Sequence, residues 1–204
     1  MEIPSTTGPT VGGLLTMRER TAMGLRTSVF VDGANFFYMQ KDRLHWWIDP
    51  KKLLAWIRRK GEIVDAYYYV GVDQNSDPQQ DNFLKALTYM GYCLVTKELK
   101  TITMPDGSDK RKANLDIEIV LDMFNTIDHF DMAVLLSGDA DFERPLHLLR
   151  ARGKKFLVMS TQGFVAREIR AVAGMHFVDF QDIREHVEKT PIISYHHSHA
   201  VTPS

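Results

Sequence analysis

The sequence predicts an α/β fold: a three-layer α/β/α sandwich with a mostly parallel central sheet and helices on both faces. Three observations carry this. Short β-rich runs alternate with helix-patterned runs along nearly the whole chain. Parallel strands need right-handed crossovers, and the intervening runs are long enough to supply them. Two apolar runs also stop abruptly in acids and glycines, at Asp32-Gly33 and at Ser137-Gly138-Asp139. In an open parallel sheet, ligands collect outside such strand ends, where the strand order reverses.

Each element has its own signal. Val29 to Val31 is a short buried-strand run that ends in Asp32. Residues 49–61 follow as a helix, with Asp49 as N-cap, Pro50 in the first turn, Leu53, Leu54 and Ile57 as its apolar stripe, and Gly61 as its stop. The β-rich run 63–72 is the second strand. Residues 77–91 repeat the Asp-Pro start and the Gly stop. Residues 92–99 form the third strand, and 102–114 a polar loop or hairpin turning at Pro105-Asp106-Gly107. Residues 115–127 carry helical spacing at Ile119, Val120, Met123 and Ile127. A fourth strand (132–137), a helix (141–153), a fifth strand (154–160), a helix (164–174), a short strand (176–180) and a last helix (182–189) complete the pattern.

A chain of 204 residues suffices for one domain with a substantial core. Residues 1–26 read as a flexible arm with a short helix near Met17 to Leu25, 27–189 as the folded domain, and 190–204 as a disordered tail. The tail histidines His196, His197 and His199 read as idle polar residues. The net charge of −1 gives no global bias toward nucleic acid or membrane, so a polyanion must be held by a local basic patch. The single cysteine, Cys93, reads as a buried small hydrophobe in an apolar context; it excludes an internal disulfide and fits a reducing, cytoplasmic compartment. No apolar run approaches the roughly 20 residues that span a bilayer, and the N-terminus lacks the pattern of a secretory signal.

The acids carry the chemistry. Asp32 follows the first strand, and Asp139 and Asp141 follow the fourth. Asp116 begins the helix that leads into the fourth strand, so it points at the same sheet edge. Taken singly, each reads more readily as a helix cap or an Asx turn. Taken together, they cannot all stay ionised in a dry site without a cation. An all-oxygen set favours Mg²⁺ or Mn²⁺ over Zn²⁺, and one or two such ions suit phosphodiester hydrolysis. Asp122 lies about 240° around the helix from Asp116, so the two share no face, which suits a supporting or ion-pair role.

Softer candidates surround this edge. Asn35 is placed to bond a water or a phosphate, or to form the turn. Ser137 is placed to orient Asp139 or to touch a bound water. Lys110, Arg111 and Lys112 precede Asp116 and suit a phosphate clamp, although such a run is more often a solvated loop. Arg167 and Arg170 are further backbone contacts, while Lys154 and Lys155 belong to the opposite edge. Phe36, Phe37 and Tyr38 suit stacking on bases, with at least one claimed by the core. Trp46 and Trp47 cover the sheet edge or form a dimer contact.

Three stretches, FVDGANFF (30–37), KANLDIEIVLDM (112–123) and LLSGDADFERPLHLLRARGKKFLV (135–158), resemble in order and spacing the NYN domain, in its LabA-like branch of the PIN-like nuclease group. The likeness covers about Thr27 to Lys189. It implies a Rossmann-like (PIN-like) fold and metal-dependent hydrolysis of RNA, with single-stranded RNA the expected substrate. The family's acidic positions fall on Asp32, Asp116, Asp139 and Asp141, with Asn35 at the D-G-x-N asparagine. Asp122 matches a further recurrent acid and Lys112 a frequent lysine.

Other enzyme classes lack their motifs. There is no G-x-G-x-x-G after the first strand, no G-x-x-x-x-G-K-[ST] and no G-x-S-x-G elbow around Ser137. An aspartyl phosphatase would carry D-x-D after the first strand, where this chain has Asp32-Gly33-Ala34. The rival from a different class is a non-catalytic RNA-binding or regulatory protein using the same acidic pocket. The low net charge favours it slightly, and a homo-oligomer that assembles a basic channel would answer that objection.

Overall fold

In a computed structural model, residues 24–73, 77–103, 107 and 109–190 are described, with the backbone alone at 102 and 110–112. The central sheet has six strands: β1 (Arg26–Asp32), β2 (Glu62–Val72), β3 (Cys93–Glu98), β6 (Met132–Leu136), β7 (Lys155–Ser160) and β8 (Phe177–Asp179). Their order is β3-β2-β1-β6-β7-β8, and every pairing is parallel. The chain therefore starts in the middle, winds outward to β3, crosses back, and winds outward the other way from β6. The strand order reverses between β1 and β6. A separate antiparallel ribbon pairs β4 (Lys100–Thr103) with β5 (Asp109–Lys112), the hairpin of the two alternatives, while Pro105 and Asp106 of the expected turn lie outside the described residues.

The helices are α1 (Gly33–Tyr38), α2 (Pro50–Arg58), α3 (Pro78–Tyr89), α4 (Asp116–Asn125), α5 (Glu143–Ala151), α6 (Arg167–Ala173) and α7 (Arg184–Val187). The two Asp-Pro starts behave as their chemistry requires. The Asp49 carboxylate accepts from the Lys51 and Lys52 amides, and Asp77 accepts from the Gln79 amide.

The sheet separates two cores, and strand alternation decides which residue joins which. Val29 and Val31 with Val134 and Leu136 face a layer that includes Leu53, Leu54 and Ile57 of α2 and Leu87 of α3. Phe30 with Ala133 and Leu135 faces the other layer, built on Ile119 and Met123 of α4, Leu146 and Leu149 of α5, and Ile169 of α6. β6 is buried along its whole length, so its sequence shows a continuous apolar run rather than alternation.

Two features depart from the sequence reading. Residues 33–44 are helical, with Met39–Leu44 wound as a π-helix that ends at His45 in the left-handed region (φ 58°). The buried Gln40 side chain explains the wide turn. It donates to the Phe36 carbonyl (2.9 Å) and accepts from the Ile48 amide (2.7 Å), so a tertiary contact selects the local winding. Cys93 is exposed, not buried, because it opens β3 at the rim of the sheet. Among the described residues, no helix is long and apolar enough to cross a membrane. Most of the N-terminal arm and nearly all of the C-terminal tail, with its histidines, lie outside the described residues.

Candidate active site

The carboxyl ends of β1 and β6 meet at the reversal of strand order. Val31 pairs with Leu136, so Asp32 and Ser137 leave the sheet side by side. The Ser137 hydroxyl donates to Asp32 Oδ2 (3.0 Å) and accepts from the Asp139 amide (3.2 Å). The other oxygen of Asp32 accepts from the Asn35 amide (3.1 Å) and caps α1. The Asn35 side chain reaches across and accepts from the Gly138 amide (3.0 Å), tying the two strand ends together. Asp139 caps the short 3₁₀ turn Ala140–Phe142 by accepting from the Asp141 amide (3.1 Å). Capping and site-building are therefore performed by the same side chains.

The glycines of both motifs are required by close approach. A Cβ on Gly33 would collide with the Tyr69 carbonyl oxygen of β2. A Cβ on Gly138 would stand 2.8 Å from Val165 Cα and 3.1 Å from the Phe164 carbonyl oxygen. The loop before α6 packs directly on the turn after β6, and the Ala166 amide donates to the Gly138 carbonyl (2.8 Å).

A cleft of about 770 Å³ opens over this edge. Asp32, Asn35, Asp116 and Asp139 line it, together with Phe37, Tyr38, Trp47, Tyr68, Phe83 and Lys189. Asp32 is 7% exposed. Burial, offset in part by its two donors, and the nearby charges of Asp116 and Asp139 push its carboxyl up to about 6. Tyr68 is buried beside it, and burial together with the Asp32 charge raises its phenol above the ordinary range.

Asp116 is half-buried and opens α4. Its amide donates to Asn114 Oδ1 (3.0 Å), and Lys97 Nζ holds the Asn114 carbonyl (2.8 Å) while pairing with Glu118 (2.6 Å). The sequence reading missed Lys97 and Asn114. An Asn two residues before a helix-opening Asp is a turn signal that points to Asn114, whereas nothing local points to Lys97.

The remaining expected residues divide. Asp32, Asp116, Asp139 and Asn35 share the cleft. The Asp141 side chain is exposed and is not part of the cleft wall. Ser137 is buried beneath the wall, oriented toward Asp32. Asp122 accepts from the Tyr69 hydroxyl (3.0 Å) further along α4, outside the cleft wall. Lys110, Arg111 and Lys112 fall on β5, and their side chains lie outside the described residues. The Arg170 guanidinium lies over the Phe177 ring and donates to the Gly174 carbonyl. Lys154 caps the Phe130 carbonyl at the other edge of the sheet, as expected. Phe36 belongs to the core, whereas Phe37 and Tyr38 face the cleft; Trp46 is buried and Trp47 is exposed.

The cleft wall is largely apolar, but its ionisable acids are all carboxylates, with no His or Cys, and such oxygen donors match hard divalent cations. Among the described residues, no three His, Cys, Asp or Glu side chains stand together closely enough to hold one ion. An ion held directly by three of these acids therefore requires their side chains to rearrange.

The chain matches the NYN domain over residues 26–186. It is 44% identical over 170 residues to the Low amplitude and bright protein LabA of Synechococcus elongatus, covering 81% of this chain and 89% of that protein. Its fold is similar to the crystal structure of a protein of unknown function from Vibrio parahaemolyticus, with TM-score 0.67 and 24% identity over 81% of this chain and 97% of that one. With the family match spanning the sheet and both strand ends that build the cleft, the chain belongs to the NYN domain family, whose members are generally nucleases.

Proposed function

We propose that the protein is a divalent-metal-dependent ribonuclease that hydrolyses phosphodiester bonds of RNA at the acidic edge. One observation carries the reading. Asp32, Asp116 and Asp139 come from three different elements to one cleft wall, where Asp32 is buried without a cationic partner among the described side chains. Such a group asks for a proton or a cation.

Asp32, Asp116 and Asp139 would hold Mg²⁺ or Mn²⁺, with Asp141 able to contribute if its side chain turns inward. Bound there, the ion would lower the pKa of a water and offset charge on the scissile phosphate. The chain's own residues do the positioning. Ser137 and the Asn35 amide fix both oxygens of Asp32, and Asn35 locks the β6 turn that presents Asp139. Lys97 and Asn114 set the backbone of Asp116. Lys110, Arg111 and Lys112 are the proposed phosphate clamp.

The spacing of the acids favours a second reading, an RNA-binding protein without turnover, because no three of them are gathered around one point. Cleavage of end-labelled single-stranded RNA with Mn²⁺, Mg²⁺ or EDTA separates the two. The nuclease cuts only with metal, leaves 5′-phosphate and 3′-hydroxyl ends, and loses cutting on Asp139→Asn. Equal RNA retention in EDTA with no cutting under any condition supports the binder. Products with 2′,3′-cyclic phosphate would overturn attack by water.

A further inference from the structure

We propose that Phe37, Tyr38 and Trp47 form a stacking platform for unpaired bases of the RNA strand whose phosphate lies at the acidic edge; the inference rests on the ribonuclease reading of this cleft. The three rings are 44%, 50% and 48% exposed, a state that a soluble protein usually avoids for neighbouring aromatics. They form one patch. Phe37 lies 5.6 Å from Trp47 at 40° and 5.4 Å from Tyr38 at 79°. Neither pair is stacked face to face, and about half of each side chain is exposed and available to a ligand.

The patch is built rather than incidental. Asp32 caps α1, and Phe37 follows five residues on, roughly 7–8 Å along the helix axis. That is within one nucleotide's reach of the acids. Trp47 is brought against Phe37 by the π-turn, by the left-handed His45 and by the Gln40 staple to the Ile48 amide. Its backbone is held again from the far end of the chain. The Lys189 amide donates to the Trp47 carbonyl (2.7 Å), and the Asp49 amide donates to the Val187 carbonyl (2.8 Å). The π-turn and the left-handed His45 are held by the buried Gln40 side chain, so tertiary contacts and not local preference set the position of Trp47. Lys189 also lines the cleft, next in space to Trp47, and supplies a cation for the phosphate of a stacked nucleotide.

Aromatic faces accept any unpaired base but not a base inside a duplex. The platform therefore makes the site selective for single strands without selecting sequence. The cleft's other groups fit this class of ligand better than a protein partner, because the apolar rings stand directly beside carboxylates suited to a metal-bound phosphate.

The test uses the full chain in EDTA, so that binding is read without cleavage. The probes are a short mixed-sequence RNA, the same RNA annealed to its complement, and the same strand with abasic sites. The intact single strand should bind best and quench tryptophan emission, since Trp46 and Trp56 are buried and Trp47 is not. Phe37→Ala with Trp47→Ala should weaken single-strand binding by about ten- to hundredfold, while Trp47→Phe should stay within about threefold of the parent. These positions are half-exposed, and unchanged melting confirms that the variants fold. Equal affinity for intact and abasic strands, or full affinity in the double variant, would overturn the platform. The two readings fail separately. Stacking without metal-dependent cutting removes the nuclease and leaves the platform. Full cutting of duplex and single strand alike by the double variant removes the platform and leaves the nuclease.

Discussion

β1 and β6 lie side by side, and the two ends of the pair treat their charges in opposite ways. At the amino ends, Arg26 meets Asp131. The guanidinium donates to both carboxylate oxygens (2.9 and 3.1 Å), and the Arg26 amide adds a third bond (3.2 Å). Those contacts, led by the Arg26 side chain, hold the Asp131 carboxyl below its usual range. At the carboxyl ends, Asp32 meets the charges of Asp116 and Asp139, and burial pushes it up to about 6. One end satisfies its charge. The other keeps a carboxylate in a buried position that neutral pH disfavours. A fold that tolerates this at one end while pairing charges at the other is separating function from stability.

The sharpest way to test that separation is Asp32→Asn. Cleavage should fall to background, the largest effect expected anywhere in the chain. Stability should move the other way. The Asp32 carboxyl titrates higher folded than unfolded, so its contribution is fully present below the unfolded value near 3.8 and is lost as pH rises through about 6. In metal-free buffer at pH 7, removing the charge should therefore raise stability, by on the order of 2–3 kcal/mol at most. Thermal melts at pH 7 and pH 4 in EDTA check this. A gain of several degrees at pH 7 that vanishes at pH 4 fits; a loss at pH 7 would show that Asp32 is a structural cap first.

Ser137→Ala attacks the same end with a smaller expected effect. It strips a donor from Asp32 and an acceptor from the Asp139 amide, both in or near buried positions. Leaving them unmatched should cost about 1–3 kcal/mol. Cleavage should fall by about ten- to hundredfold, as when the group that orients a ligand is lost. If kcat holds while stability drops, Ser137 only fastens the strand ends.

Asp131→Asn should give the reverse profile at the amino ends. Asp131 is paired and its carboxyl is depressed, so its stabilisation is present above the unfolded value and is lost as pH falls through the folded one. The pair is partly solvent-exposed, at 37% and 21%, which limits the loss to about 1 kcal/mol. The loss should be visible at pH 7 and disappear in acid, with cleavage unchanged. Opposite pH slopes for Asp32→Asn and Asp131→Asn are the signature of the two ends.

Much of this contrast can be read from residue order. Asp-Pro starts name two helices because the cap and the fixed proline φ are local, and residues 49–61 and 77–91 carry them plainly. Apolar runs ending in Asp32 and in Ser137-Gly138-Asp139 name the functional edge, because a doubly wound sheet brings such ends together. What depends on distant contacts is not visible. The π-turn at Met39–Leu44 follows from Gln40 reaching Ile48, and the split between Trp46 and Trp47 is fixed by pairing with Val187 to Lys189, about 140 residues away. The exposure of Cys93 needs the knowledge that β3 is an edge strand. The outward Asp141 follows from the 3₁₀ turn that Asp139 itself caps.

The smallest effect should come from Lys97→Gln, and it tests whether positioning can be separated from stability within the site. The Lys97–Glu118 pair is partly exposed, at 40% and 32%, so its loss should change stability by less than about 1 kcal/mol. Lys97 also grips the Asn114 carbonyl, however, and the Asn114 side chain takes the amide of Asp116. Without that ammonium, the turn before α4 keeps its shape but loses an anchor, and the Asp116 carboxylate should sample more positions. Cleavage should then drop severalfold at saturating RNA with the melting temperature almost unmoved, and raised Mn²⁺ should restore part of it. An equal drop in the Asp131→Asn variant would mean that cleavage simply follows stability, and the division between the two ends of β1 and β6 would collapse.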